Sequence, residues 1–243
     1  LSLISGMAGS RQGWREAPYC PCPSGFQDIA QHLQWIDKDR IGIVPGLSTW
    51  NDDTPDVMRG EEIQIFGALS AQQIQSAQFV LPGTHSKWAQ VLNGKIEAFK
   101  TFMTGEFYAL LSQHSILAKT CLPDAPLKKD VFLDGVMQSQ KPGGLLHHAF
   151  SARSLALFEK LNPAQSSSYI SGLLIGEEIK SAQHSMQADS KPLFILGNSQ
   201  LTQRYAFAME ALGMSAQALA DEVTWSGLWA LAHHLYPDHF KLS

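Results

Sequence analysis

With 243 residues, 44% hydrophobic and 16% charged, the chain can bury a real core as one large domain or two small lobes, and its composition is that of a soluble globular protein. A net charge of −4 without a basic run argues against nucleic acid as the main partner, although a small anionic ligand, recognised by local N–H groups, stays open. No apolar run is long enough to span a membrane, and the opening LSLISGMAGS has no basic flank before its apolar stretch, so it does not read as a signal peptide.

Taken in chain order, residues 1–5 read as a buried strand, followed by a strand-to-loop junction at Gly6-Met7-Ala8-Gly9-Ser10. A buried strand at the very first residue carries the expectation that sequence precedes it. Residues 14–39 are rich in Pro, Gly and Cys and read as loop, with a short helix at 26–33. Cys20-Pro21-Cys22 lacks the two-residue spacer of a zinc-binding pair and has no second pair. With Cys121 it makes an odd count, so these are incidental thiols suited to a reducing cytoplasm. A second strand is expected at 40–44, ended by Pro45-Gly46. The Asn, Asp and Pro cluster of residues 50–56 is the best candidate hinge or linker, and Thr54 or Asp56 would cap a helix over 58–69.

The stretch FVLPGTHSKWAQVLNGKIEAFKTFMTG then reads as strand, polar loop, strand, turn, strand and helix start, with Asn93-Gly94 as a two-residue hairpin turn. Thr104 would cap a helix at 107–114. Loop is expected over 118–126 and further helices over 130–140, 151–161 and 166–187, the last with a small-residue face at Ser171, Gly172 and Gly176. A buried strand at 192–196, a helix at 201–212, a short strand at 215–219 and a helix at 225–235 complete the chain. Strands interleaved with helices indicate α/β, and the hairpin meander makes its sheet mixed.

Four constellations could carry chemistry. The loop Gly83-Thr84-His85-Ser86-Lys87 offers backbone N–H groups, hydroxyls and an ammonium, which together suit a phosphate; an ordinary polar hairpin loop accounts for it equally. Arg59-Gly60-Glu61-Glu62 could supply a general base and an anion anchor, or be a solvated helix N-terminus favoured by the dipole. Adjacent helical positions diverge by about 100°, so only one of the two glutamates can face a given ligand. Gly197-Asn198-Ser199 lies where a strand end meets a helix start, the usual place for ligands in open α/β sheets, or is a plain turn with Ser199 as cap. Finally, Ser5-Gly6-Met7-Ala8-Gly9-Ser10-Arg11-Gln12-Gly13-Trp14 has small residues and glycines after a strand that let the backbone crowd a ligand, with Arg11 and Trp14 offering a charge and a flat apolar face, or is simply a surface loop with Trp14 covering a core edge. The pairs His147-His148 and His233-His234 are adjacent and cannot chelate one metal together. Ser86-Lys87 lacks the spacing of a Ser-Lys hydrolase.

Together, SGMAGSRQGWREAPY, IVPGL, PDVMRGEEIQIFGA, LPGTHSKWAQV, FKTFMTGEFYALL, GLLIGEEI and LGNSQLTQRYAFAMEALG resemble the 2-dehydro-3-deoxygalactonokinase family through nearly the whole chain. The resemblance implies a two-lobed α/β fold of the sugar-kinase/actin-like ATPase type with mixed sheets. Residues 1–55 would be the remainder of a sugar-side lobe, incomplete at its N-terminus because no early Asp-Gly-Thr/Ser hairpin is present. Residues 56–243 would form the nucleotide-side lobe, with the helix at 225–235 returning to the first.

The reaction implied is ATP-dependent phosphorylation of the terminal (6-) hydroxyl of 2-dehydro-3-deoxy-D-galactonate, with Mg²⁺, in a cytoplasmic protein with small-molecule partners only, for which a homo-oligomer stays open. Glu61 or Glu62 would be the base. Gly83, Thr84, His85, Ser86 and Lys87 would hold the phosphates, Gly197, Asn198, Ser199 and Arg204 the adenosine. Ser10, Arg11, Trp14 and Arg59 would hold the sugar acid. Related readings are a kinase for another sugar acid and a binding module without catalysis.

Overall fold

The computed structural model describes residues 1–122, 124–185, 191–219 and 223–237. Its first part is built from short strands: β1 (Ser2–Ile4), β2 (Cys20–Pro21), the helix α1 (Phe26–Gln31), β3 (Gln34–Asp37), β4 (Ile41–Ile43), β5 (Leu47–Asn51) and β6 (Thr54–Met58). The helix α2 (Glu61–Gln72) leads to the meander β7 (Ala77–Leu81), β8 (Ser86–Leu92) and β9 (Lys95–Phe102). Four helices follow: α3 (Thr104–His114), α4 (Lys129–Ser139), α5 (Gly144–Leu157) and α6 (Pro163–Ser185). The described chain closes with β10 (Leu193–Leu196), α7 (Ser199–Ala211), β11 (Gln217–Leu219) and α8 (Val223–Leu235).

Three sheets result, in the orders β1-β4-β3, β2-β5-β6 and β11-β10-β7-β8-β9. The five-stranded sheet is mixed, as the meander requires: β10 runs parallel to both β7 and β11, while β7, β8 and β9 pair antiparallel. Strand β10 is apolar and buried at every position, the mark of a strand covered on both faces. Side chains alternate between those faces, and the two faces build two cores. Phe79, Leu81, Ala89, Phe194 and Leu196 pack with Ile63, Phe66 and Leu69 of α2 and Leu231 of α8. Val80, Trp88, Leu193 and Ile195 pack with Phe132 and Val136 of α4, Ile175 and Ile179 of α6, and Tyr205 and Met209 of α7.

The expected small-residue face of α6 is used for close approach. A Cβ on Gly172 would stand 1.8 Å from the Phe132 carbonyl oxygen, and one on Gly135 of α4 would stand 2.2 Å from that of Tyr169. Helices α2 and α8 meet in the same way, through Gly67 against the Val223 carbonyl and Gly227 against that of Ile63. These contacts let backbone lie on backbone, leaving no room for even a methyl group between the axes.

Several local expectations are corrected. Residues 50–56 are a β-hairpin and no linker: β5 and β6 pair from Leu47 opposite Met58 to Asn51 opposite Thr54. The Asn and Asp side chains that signal a linker fasten this hairpin to β9. Asn51 Nδ2 donates to the Phe99 carbonyl at 3.1 Å, and the Asp56 carboxylate accepts from the Thr101 N–H and hydroxyl at 2.7 and 2.6 Å. A boundary between residues 55 and 56 therefore falls inside β6. Neither Thr54 nor Asp56 caps α2, which starts after Gly60 without a side-chain cap. Thr104 is the first residue of α3 and gives its hydroxyl to Glu178 instead of capping. Strand β3 lies where only loop and the short helix were expected, a 3-10 turn occupies Ile116–Thr120, and α5 begins at Gly144, well before residue 151. Residues 186 and 187, the expected end of the α6 helix, lie outside the described residues.

A Gly172→Ala substitution should force α4 and α6 apart and lower stability by about 1–3 kcal/mol, the usual cost of overpacking. Thermal unfolding would show it as a fall of about 2–4 °C for each kcal/mol. An unchanged melting temperature would contradict the backbone-on-backbone contact.

Candidate active site

A cleft of about 750 Å³ opens where the carboxyl ends of four strands converge. Ser5, Gly6 and Met7 follow β1; Arg59, Gly60 and Glu61 follow β6; Pro82, Gly83, Thr84 and His85 follow β7; Gly197 and Asn198 follow β10. Tyr19, Gln64, Lys87 and Thr224 also line the cleft. This is the position at which open α/β sheets take ligands.

The turn at Gly60 settles which glutamate faces the cleft. With φ at +106°, Gly60 brings β6 directly into α2, so the N–H groups just before the helix point at the carboxylates just inside it. Arg59 N donates to Glu61 Oε2 at 2.9 Å, and Gly60 N donates to Glu62 Oε2 at 2.6 Å. Glu61 stands in the cleft wall, with Lys87 Nζ 3.9 Å from its Oε1. Glu62 points inward and is fully buried, with the Ser5 hydroxyl at 3.4 Å. Burial pushes the Glu62 carboxyl up to about 8, against the pull of backbone N–H groups, and the Glu61 charge adds to the rise. Lys87 is buried too; burial lowers its pKa, while Glu61 and then Asp56 favour its charged form.

The expected phosphate loop divides. Gly83, Thr84 and His85 line the cleft, with Thr84 and His85 exposed. The loop is held from behind by α3: Glu106 N donates to the Thr84 carbonyl at 3.1 Å, and the Glu106 carboxylate lies 2.6 Å from His85 Nε2. Ser86 already belongs to β8; its hydroxyl is buried 2.9 Å from that of Tyr205 and faces away from the cleft. Strand alternation then returns Lys87 to the cleft side.

Of the third constellation, Gly197 and Asn198 line the cleft, and the Asn198 side chain caps α7 by accepting from Leu201 N at 3.0 Å, the role expected of Ser199. Ser199 is exposed beside them. Arg204 is elsewhere, in an adjoining cavity of about 60 Å³ with Gly83, Gly105 and Tyr108, where it donates to the Ser171 hydroxyl at 3.0 Å.

The fourth constellation divides: Ser5, Gly6 and Met7 line the cleft, while its later residues do not. Arg11 is exposed and paired with Glu16 at 3.1 Å, Trp14 is exposed, and the Ser10 hydroxyl is buried without a hydrogen-bond partner. None of the three lines the cleft. Arg59 does line it, with its guanidinium over the Tyr19 ring at 4.5 Å and Nη2 donating to the Ala17 carbonyl at 2.7 Å, while Nε and Nη1 have no partner. Sequence reasoning gave no role to Tyr19 or Glu106. It also gave no role to Glu178, although an acidic pair inside the apolar GLLIGEEI run is a signal that a buried charge has found donors.

These features can be set beside known proteins. Residues 2–231 match the family described as 2-keto-3-deoxy-galactonokinase. The 2-dehydro-3-deoxygalactonokinase of Escherichia coli (strain K12) is 35% identical over 232 residues, which span 95% of this chain and 78% of that one. A Rhizobium meliloti (strain 1021) relative bearing the same kinase name is 36% identical over 242 residues, 97% of this chain and 78% of its own length. A solved Sinorhizobium meliloti structure, also described as that kinase, superposes with a TM-score of 0.89 at 34% identity, covering 97% of this chain and 80% of the other. The expected α/β fold of the sugar-kinase/actin-like ATPase type, with mixed sheets, stands with this likeness. By family match, sequence identity and fold together, the chain belongs to the 2-keto-3-deoxy-galactonokinase family.

Proposed function

We propose that the chain is an ATP-dependent carbohydrate kinase that transfers the γ-phosphoryl group to the terminal (6-) hydroxyl of 2-dehydro-3-deoxy-D-galactonate. The observation that carries this reading is the meeting, in one cleft, of the Glu61 carboxylate, the Lys87 ammonium and the glycine-bearing loop at residues 83–85. The substrate itself comes from the names of the relatives.

In this reading the acceptor hydroxyl lies against Glu61, which takes its proton as phosphoryl transfer proceeds. Glu62 is excluded from that contact by its burial behind the turn. Lys87 and the loop amides hold the phosphoryl oxygens, so that catalysis is mostly placement and charge stabilisation. The Gly197-Asn198 turn forms the wall for the rest of the nucleotide. Arg59, a cationic residue of the cleft lining, is the partner for the sugar acid's carboxylate. Arg11, Trp14 and Arg204 stand outside the cleft and have no part in this scheme. Two lobes would meet at the cleft, with the β5–β6 hairpin in the first and the five-stranded sheet in the second, and α8 joining them by packing on both α1 and α2.

Magnesium belongs to the proposal as the companion of the nucleotide's phosphates. Among the described residues no group of three His, Cys, Asp or Glu could hold a cation. Among those residues, too, no helix is long and apolar enough to cross a membrane.

A coupled assay of ADP release should show turnover that depends on 2-dehydro-3-deoxy-D-galactonate. Nucleotide binding without turnover would instead leave a binding module. Glu61→Gln should lower kcat by about 10²–10⁴-fold, the usual worth of a positioned general base, with little change in KM. A variant that keeps wild-type kcat would remove Glu61 from the base role.

Glu62→Gln tests the inward carboxyl through pH. Because its pKa of about 8 in the fold exceeds the ordinary 4.5, the folded chain keeps a proton that the unfolded chain releases. That contribution to stability is complete below pH 4.5 and is lost as pH rises through about 8. Thermal unfolding across this range should show the unmodified chain losing ground to Glu62→Gln. Parallel profiles would mean that Glu62 is ionised throughout.

A further inference from the structure

Helix α6 carries a carboxylate that the proposed chemistry does not use. Glu178 is 3% exposed, in helix α6 between Ile175 and Ile179, which pack beneath the five-stranded sheet. A buried carboxylate is costly unless donors meet it, and three do. Trp88 Nε1 donates to Oε1 at 2.7 Å, the Tyr205 hydroxyl donates to Oε2 at 2.6 Å, and the Thr104 hydroxyl donates to the same Oε2. Since the Tyr205 proton is committed to Glu178, the Ser86 hydroxyl at 2.9 Å must donate to the Tyr205 oxygen, which extends the chain of bonds to a fourth residue. Burial raises the Glu178 pKa, and the bonds from Thr104, Tyr205 and Trp88 oppose that rise.

The donors come from three elements, each of which supports a different side of the phosphate end of the cleft. Ser86 and Trp88 lie in β8, immediately after the loop at residues 83–85. Thr104 opens α3, whose Gly105 lies so close to Gly83 and Thr84 that a Cβ there would stand 2.5 Å from the Gly83 carbonyl oxygen. The next residue, Glu106, bonds Thr84 and lies against His85. Tyr205 lies in α7, the helix that Asn198 caps at the cleft wall. One side chain therefore fixes the distance between the loop, the helix that backs it and the wall opposite.

We infer that Glu178 is a positioning residue for nucleotide phosphates: it touches no substrate, but its carboxylate holds β8, α3 and α7 in the one arrangement that aims the 83–85 loop into the cleft. The inference rests on the kinase reading of that cleft. Glutamine at 178 keeps the shape but puts an amide donor where two hydroxyls donate, so at least one oxygen contact is lost and both hydroxyls must turn.

The test compares the unmodified chain with Glu178→Gln, Tyr205→Phe and the double variant. Calorimetric titration with a non-hydrolysable ATP analogue and steady-state ADP release are the two readouts. Glu178→Gln should weaken the analogue and lower kcat/KM for ATP by about 10- to 100-fold, as a misplacement of about 1 Å does, with KM for the sugar acid within about twofold of the original. Tyr205→Phe should lose less in the same direction, and the double variant less than the product of the two, because both act through one network.

A folded Glu178→Gln protein with unmodified nucleotide affinity and kcat/KM overturns the inference while leaving the kinase intact. Equal losses toward both substrates that track the unfolded fraction overturn it as well, because plain destabilisation acts that way. Should Glu178→Gln fail to fold, the same split between substrates in Tyr205→Phe decides the matter. An unmodified chain that binds no nucleotide overturns the kinase reading, and this inference with it.

Discussion

The direction of the Arg59–Glu62 turn governs the candidate site. At Gly60 the backbone enters a region that residues with a Cβ adopt only under strain, and in doing so it joins the end of β6 to the start of α2 with no intervening loop. The N–H groups at that junction would otherwise be unsatisfied, as at any helix start. Here they meet the two carboxylates that the helix itself provides. One consequence is that Glu61 and Glu62, adjacent and chemically alike, are given opposite environments: one faces Lys87 across the cleft wall, the other is sealed inside. The same turn places the Arg59 side chain over Tyr19, at the rim formed by the first part of the chain.

The rest of the cleft depends on how the five-stranded sheet is supported. Its two faces are covered by different helices, and the loops at its carboxyl ends are set by where those helices sit. Helix α3 meets the 83–85 loop through its own first turn, while α7 presents its capped N-terminus from the far side. Both are joined to β8 by the buried Glu178 carboxylate. A strand end by itself gives a ligand only backbone groups. The helices behind it decide where those groups point.

Much of the architecture was legible along the chain. The meander with its Asn93-Gly94 turn, the apolar run of β10, the small-residue face of α6 and the final helix all carry strong local signals: a turn that needs positive φ, a period of two, a period near four. The 50–56 stretch misled because Asn and Asp report only that polar groups need partners. They do not say whether the partner is water or, as here, the backbone of β9. Short strands such as β2 and β3 left little trace, since a few residues are too few for a period to show, and β2 pairs with β5, well along the chain.

The family, the α/β class and the set of residue types from which a kinase site can be built were determined by the sequence itself, because motifs and periodicities are local properties. Which of those residues meet was decided only by the tertiary structure. Glu61 rather than Glu62 faces the cleft, since one step along a helix rotates a side chain by about 100°. Ser86 turns to Tyr205 while Lys87 turns to the cleft, since neighbours on a strand point to opposite faces. Arg11 and Trp14 point outward, and Glu178 becomes the centre of a network joining residues far apart in the chain. Such choices depend on burial and on partners brought together from distant segments, and no local pattern encodes them.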